Sequence, residues 1–280
     1  MREFFNIVRA DIKRGIFVRW KFLIFVFVIA FVFAISYFTK VNGIEKLGFV
    51  SGTNTFGDVL LYYFRGIEEY IHESGRPIEI PVQYFLTNLL AIYYVAYYPV
   101  QEIQGIGKNI LINSNSRVKW WFSKCIWNVT AVTIVFLTEL AAVILCSGIL
   151  ANDTFSWSLV PTNELTDYFY RADISGKNIE NFALIILCSV YVARLSMSAL
   201  QMLLSYVSKA ILGYMITIFV LIYSVYEMSW CMPGNFMMTY RNVIVNANGV
   251  DLNSVLLVGA IIAVITLFVG GVYSHYKDYL

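Results

Sequence analysis

Apolar residues in this chain come in long uninterrupted blocks rather than in the short alternations of strands. A helix needs about 20 apolar residues to cross a hydrocarbon core about 30 Å thick. Six blocks approach or exceed that length: 22–39, 81–101, 125–151, 181–207, 210–230 and 252–276. The first, second and last contain no Asp, Glu, Lys or Arg. The third holds only Glu139, the fourth only Arg194, and the fifth has Glu227 near its end. The pattern predicts an all-α membrane protein, one membrane domain over 1–280 with six transmembrane helices. An even number of crossings puts both ends of the chain on the same side.

Two further stretches are amphipathic rather than apolar. At about 100° per residue, Phe4, Phe5, Val8, Ile12 and Ile16 share one arc, while Arg2, Asn6, Arg9 and Lys13 fall opposite. Residues 1–21 therefore read as a basic helix lying in the inner-leaflet interface. In the first long connection, Phe56, Val59, Leu60, Tyr63, Ile67, Tyr70 and Ile71 recur at helical spacing, with Asp58, Arg65, Glu68 and Glu69 on the other side. This stretch is expected to pack as a helix on the outer leaflet or on neighbouring loops.

Composition strengthens the membrane reading. Soluble domains are about 45–50% apolar and about 25% charged, whereas this chain is 59% hydrophobic and 14% charged. Charge placement then sets orientation, because short cytoplasmic loops collect Lys and Arg. Arg2, Arg9, Lys13, Arg14, Arg19 and Lys21 precede the first block, and Lys108, Arg117, Lys119 and Lys124 lie between the second and third. The two long connections on the other face, roughly 40–80 and 152–180, hold most of the acids. Both termini are expected in the cytoplasm, with the first block a retained signal-anchor. Cys125, Cys146, Cys188 and Cys231 show no CxxC spacing and read as small buried hydrophobes, and no His/Asp/Glu cluster has metal-ligand spacing. No metal is expected.

The segment Gly105 to Cys125 begins Gly-Ile-Gly-Lys and suggests a phosphate-binding loop. That loop requires GxxxxGK[ST] after a strand. Position 102 is Glu102 instead of glycine, position 109 is Asn109 instead of Ser or Thr, and the preceding block is a membrane helix. The nucleotide reading fails on all three, and the spans carry no Ser/His/Asp, HExxH or paired-Asp constellation. The chain is not expected to be an enzyme by itself, nor to bind nucleic acid. Trp120 and Trp121, with Lys119 and Lys124, read instead as anchors at the membrane surface.

Charges inside a membrane are costly and normally face a partner or a water-filled cavity. Glu139 lies 15 residues past Lys124, and Arg194 lies 15 residues before Lys209. Equal rise from one surface places them near the same depth in consecutive, antiparallel spans. Three readings stay open: a mutual contact, a place in a translocation path, or separate partners or snorkelling.

Three stretches stand out: Gly107-Lys108-Asn109 with Asn113 to Lys124, Ala199 to Ser205, and Pro233 to Met238 with Arg241. Together they resemble ABC-2-type permease subunits of Gram-positive, Firmicutes-like bacteria. The resemblance implies a type V exporter-like topology in the bacterial plasma membrane. It also implies a second permease copy or paralogue and separate ABC ATPase subunits that bind ATP and Mg; this chain would hold no cofactor. By the same resemblance, Lys108, Asn109, Asn113, Asn115, Ser116 and Arg117 form the loop that couples to the ATPase. Pro233, Gly234, Asn235 and Arg241 belong to an outer re-entrant region. The cargo implied is a peptide or lipophilic compound, moved outward. The rival readings are a secondary transporter or channel, which calls for internal repeats, and a membrane sensing subunit that carries nothing.

Overall fold

The computed structural model describes residues 2–50, 53–70, 79–104, 117–171 and 180–277. It is 77% helical. Helix α1 (Arg2–Gly15) passes through a 3-10 turn (Phe17–Arg19) into α2 (Trp20–Lys46). Next come α3 (Phe56–Tyr63), α4 (Val82–Ala96), α5 (Tyr98–Gln104), α6 (Arg117–Leu150), α7 (Asn163–Tyr170), α8 (Phe182–Val207), α9 (Ala210–Tyr226) and α10 (Leu252–Tyr276). Two 3-10 turns, Asn235–Met237 and Thr239–Arg241, lie between α9 and α10. Among the described residues, the one sheet is a two-residue parallel pair, with Asn54 opposite Phe155 and Thr55 opposite Ser156.

Among the described residues, four helices are long and apolar enough to cross a membrane: α2 in continuation of α1, then α6, α8 and α10. Their outward faces stay apolar. Phe25, Val28 and Val32 of α2, and Leu257, Val264 and Phe268 of α10, are all exposed. In water such stripes would be a liability; against lipid they cost nothing. The chain is a helical membrane protein.

Two expected spans are shorter than their apolar blocks. The block 81–101 divides at Tyr97 into α4, 15 residues long, and α5, 7 residues long. Pro99 supplies the reason: its ring lacks an N–H and would clash with the carbonyl one turn back, so the helix restarts with Pro99 in its first turn. The block 210–230 stays helical only to Tyr226. Helix α6 departs in the other direction. It begins at Arg117, eight residues before the expected start, and its 34 residues run about 51 Å at about 1.5 Å each. The outer amphipathic stretch forms α3 only as far as Tyr63, then turns at Gly66 with φ 66°. Asp58, expected on the polar side, is buried.

Helix α8 is the hub of the bundle, in contact with α4, α6, α9 and α10. Its buried face includes Ser189, Arg194, Ser198, Gln201 and Ser205, a polar line running most of its length. Close approach elsewhere depends on glycine. A Cβ at Gly270 of α10 would lie 2.1–2.4 Å from three indole atoms of Trp121.

Candidate functional site: two buried ion clusters

The first cluster joins α4, α6 and α8. Arg194 Nη1 donates to Glu139 Oε2 at 2.6 Å, and Arg194 Nε donates to Asn88 Oδ1 at 2.9 Å. Asn88 is aimed by its own amide, whose Nδ2 donates to Tyr84 O at 2.8 Å. All three side chains are buried. The Arg194 guanidinium lies 5.7 Å from the ring centroids of both Phe64 and Phe136. A lone charge at the centre of a membrane helix costs about 2.5–3.5 kcal/mol on insertion scales, and the pair offsets that cost by neutralising itself. The cluster keeps loose ends: Glu139 Oε1, Arg194 Nη2 and the Tyr63 hydroxyl are buried without a hydrogen-bond partner among the described residues. Of the three readings open in the sequence, the geometry is that of a mutual contact, with Asn88 as a third member.

The second cluster lies at the basic end of the bundle. Lys124 of α6 donates to Asp11 Oδ1 of α1 at 2.5 Å and also to Glu102 Oε2 of α5. Asp11 accepts two more hydrogen bonds, from Tyr98 Oη at 3.1 Å and from Ser123 Oγ at 3.0 Å. Lys124 and Asp11 are both 0% exposed. The ammonium sits 5.4 Å from the Tyr98 ring centroid and 5.0 Å from that of Trp120. Beside it, Tyr98 stacks on Trp127 at 4.2 Å. Arg19 Nη2 donates to Gln101 Oε1 at 2.8 Å, which fastens the α1–α2 turn to α5 as well.

These positions correct part of the sequence reading. Trp120 and Trp121 are not half-wet interfacial anchors; both are fully buried, packed with Met202, Leu203 and Tyr206. Lys124 does not face lipid phosphates, because two protein carboxylates hold it. Lys119 is exposed. Arg117 opens α6 and donates to Lys277 O at 2.8 Å, beyond the end of α10. Lys108, Asn109, Asn113, Asn115 and Ser116 lie outside the described residues. Helix α1 is amphipathic as expected, but its inward side carries Asp11 and Gly15, with Ile16 just beyond, packed against α5 and α6.

The residues singled out between 233 and 241 form a tightly bonded cap. Thr239 N donates to Phe64 O at 2.8 Å and Tyr240 N to Arg65 O at 3.1 Å. Arg241 donates to Ile67 O, Glu68 O and Val225 O. The segments after α3 and after α9 thus satisfy each other's irregular backbone, as buried non-helical chain must. Pro233, Gly234 and Asn235 are buried in this cap, and Tyr84 Oη donates to Gly234 O at 3.2 Å. Asp58 ties the cap's other edge. It accepts from Thr55 N, Thr55 Oγ1, Thr162 N and Thr162 Oγ1, all within 3.1 Å. Burial pushes its carboxyl up to about 6, against the downward pull of those four donors.

Comparison of the chain with protein-family models, with curated proteins and with solved structures finds no match.

Proposed function

We propose that the chain is the permease subunit of an ABC-type transporter, with a six-span ABC-2-like topology in a bacterial plasma membrane. In this reading two such subunits form a pathway, and a separate ATPase, which binds ATP and Mg, drives it. The cargo class is a peptide or lipophilic compound moving outward. The observation that carries the reading is the Lys124 cluster. It ties α1, α5 and α6 together at the two ends of the 105–116 connection, the segment whose residues resemble an ATPase-coupling loop. A push on that connection would therefore reach α1 and α6 together, through buried ion pairs rather than through a slack linker.

A second reading is a gradient-driven carrier. It draws on Glu139–Arg194, an ion pair within the apolar blocks, where such pairs mark ion pathways in many transporters.

Co-expression with the ABC ATPases of the source genome separates the two. The permease reading expects one ATPase to co-purify. It also expects a single cysteine at Asn109 or Asn113, in a background without the four native cysteines, to crosslink to that ATPase. Transport by vesicles containing the chain alone, driven by a proton or sodium gradient, would favour the carrier and sink the permease.

A further inference from the structure

Beneath the outer cap lies a cavity of about 10 Å³ between the 231–251 segment and α8. Its walls are buried residues, and four of them are polar: Ser189 of α8, Asn235, Arg241 and Asn242. Three of the four carry one atom without a hydrogen-bond partner among the described residues: Ser189 Oγ, Asn235 Oδ1 and Arg241 Nη1. The volume is on the scale of one water molecule, which needs roughly 10–15 Å³ by this measure and two to four polar partners.

The chemistry of the three atoms selects among small ligands. Asn235 cannot turn its amide, because Nδ2 donates to Glu227 O at 3.0 Å and Ser229 O at 3.1 Å. Its Oδ1 therefore meets the cavity as an acceptor. Arg241 spends Nε and Nη2 on Ile67 O, Glu68 O and Val225 O, which leaves Nη1 as a donor. Ser189 does not bond back to its own helix as its neighbour Ser196 does to Val192 O. An anion would face the Asn235 carbonyl oxygen, and a cation would face the Arg241 guanidinium. A ligand that both accepts and donates fits all three.

We propose that this cavity holds one structural water that accepts from Arg241 Nη1 and donates to Asn235 Oδ1 and Ser189 Oγ. The water joins the outer cap to α8, five residues from Arg194 on the same helix. It replaces three unsatisfied buried polar atoms with three hydrogen bonds, and this inference does not depend on the transporter reading.

X-ray hydroxyl-radical footprinting of the full chain in nanodiscs tests it, because a resident water generates radicals where it sits. Met238 lines the cavity and is 1% exposed; Met197 is 0% exposed and does not line it. The expected result is several-fold greater oxidation of Met238 than of Met197. Ser189→Val, which fills the space with carbon, is expected to bring Met238 down to the Met197 level and to lower Tm by a few degrees. Equal oxidation of the two methionines in the wild-type chain, or a Ser189→Val variant with a raised Tm, would mean a dry void and overturn the proposal.

Discussion

The Lys124 and Arg194 clusters solve the same problem in opposite ways. At Lys124 one ammonium serves two carboxylates from two different helices, and a tyrosine and a serine hydroxyl complete the set. At Arg194 one guanidinium serves a single carboxylate and an amide, and three buried polar atoms are left over. The first arrangement is redundant for its cation: losing one acid leaves another. The second is not, because an arginine stranded without Glu139 cannot shed its charge.

The largest effect tests the shared cation. Lys124→Met leaves Asp11 and Glu102 together without a counter-charge and is expected to cost about 5 kcal/mol near pH 7. Thermal unfolding of the variant against the wild-type chain reads it. Next comes Glu139→Gln, expected to cost about 3–4 kcal/mol by stranding Arg194. Asp11→Asn and Glu102→Gln should each cost only about 1–2 kcal/mol, since Lys124 keeps one carboxylate. Equal losses for Glu139→Gln and Asp11→Asn would erase the distinction between the clusters.

Asp58 extends the comparison to a buried acid held by threonine donors alone. Its carboxyl is raised to about 6, so the folded chain binds that proton more tightly than the unfolded chain does. Its contribution to stability is fully present below about pH 4 and is lost as pH rises through about 6, by about 2–3 kcal/mol in all. Asp58→Asn should flatten that part of the pH profile. A smaller effect probes how deeply α6 is seated. Gly270→Ala drives a methyl into the Trp121 indole and is expected to cost about 1–2 kcal/mol. Gly271→Ala, with nothing within 4 Å of its added carbon, serves as the neutral control.

The helices α2, α8 and α10 were legible because each is an apolar run long enough to leave no alternative, and equal rise from the charged ends brought Glu139 and Arg194 to one depth. Other features hid for identifiable reasons. Pro99 lies inside an uncharged block whose hydropathy overwhelms the break it causes. Trp120 and Trp121 look interfacial next to Lys119 and Lys124. Helical spacing, however, puts Trp120, Trp121, Lys124, Trp127 and Asn128 on one face, and the protein buries that face. Asp11 carried the same kind of signal, as an acid between Val8, Ile12 and Gly15 on the inward side of a basic helix. Asn88 gave none, because nothing in its own stretch points to a partner 106 positions away. The cap depends on hydrogen bonds to backbone carbonyls between segments more than 170 residues apart, which no local pattern encodes.

Helix α6 is a single rod of 34 residues, and Trp121, Lys124, Asn128 and Glu139 are all fixed along it. A rod of about 51 Å that pivots by about 5° carries its far end through about 4 Å. It needs no hinge of its own to do so, because leverage alone converts a slight tilt at Arg117 into a displacement wider than a water molecule at Leu150.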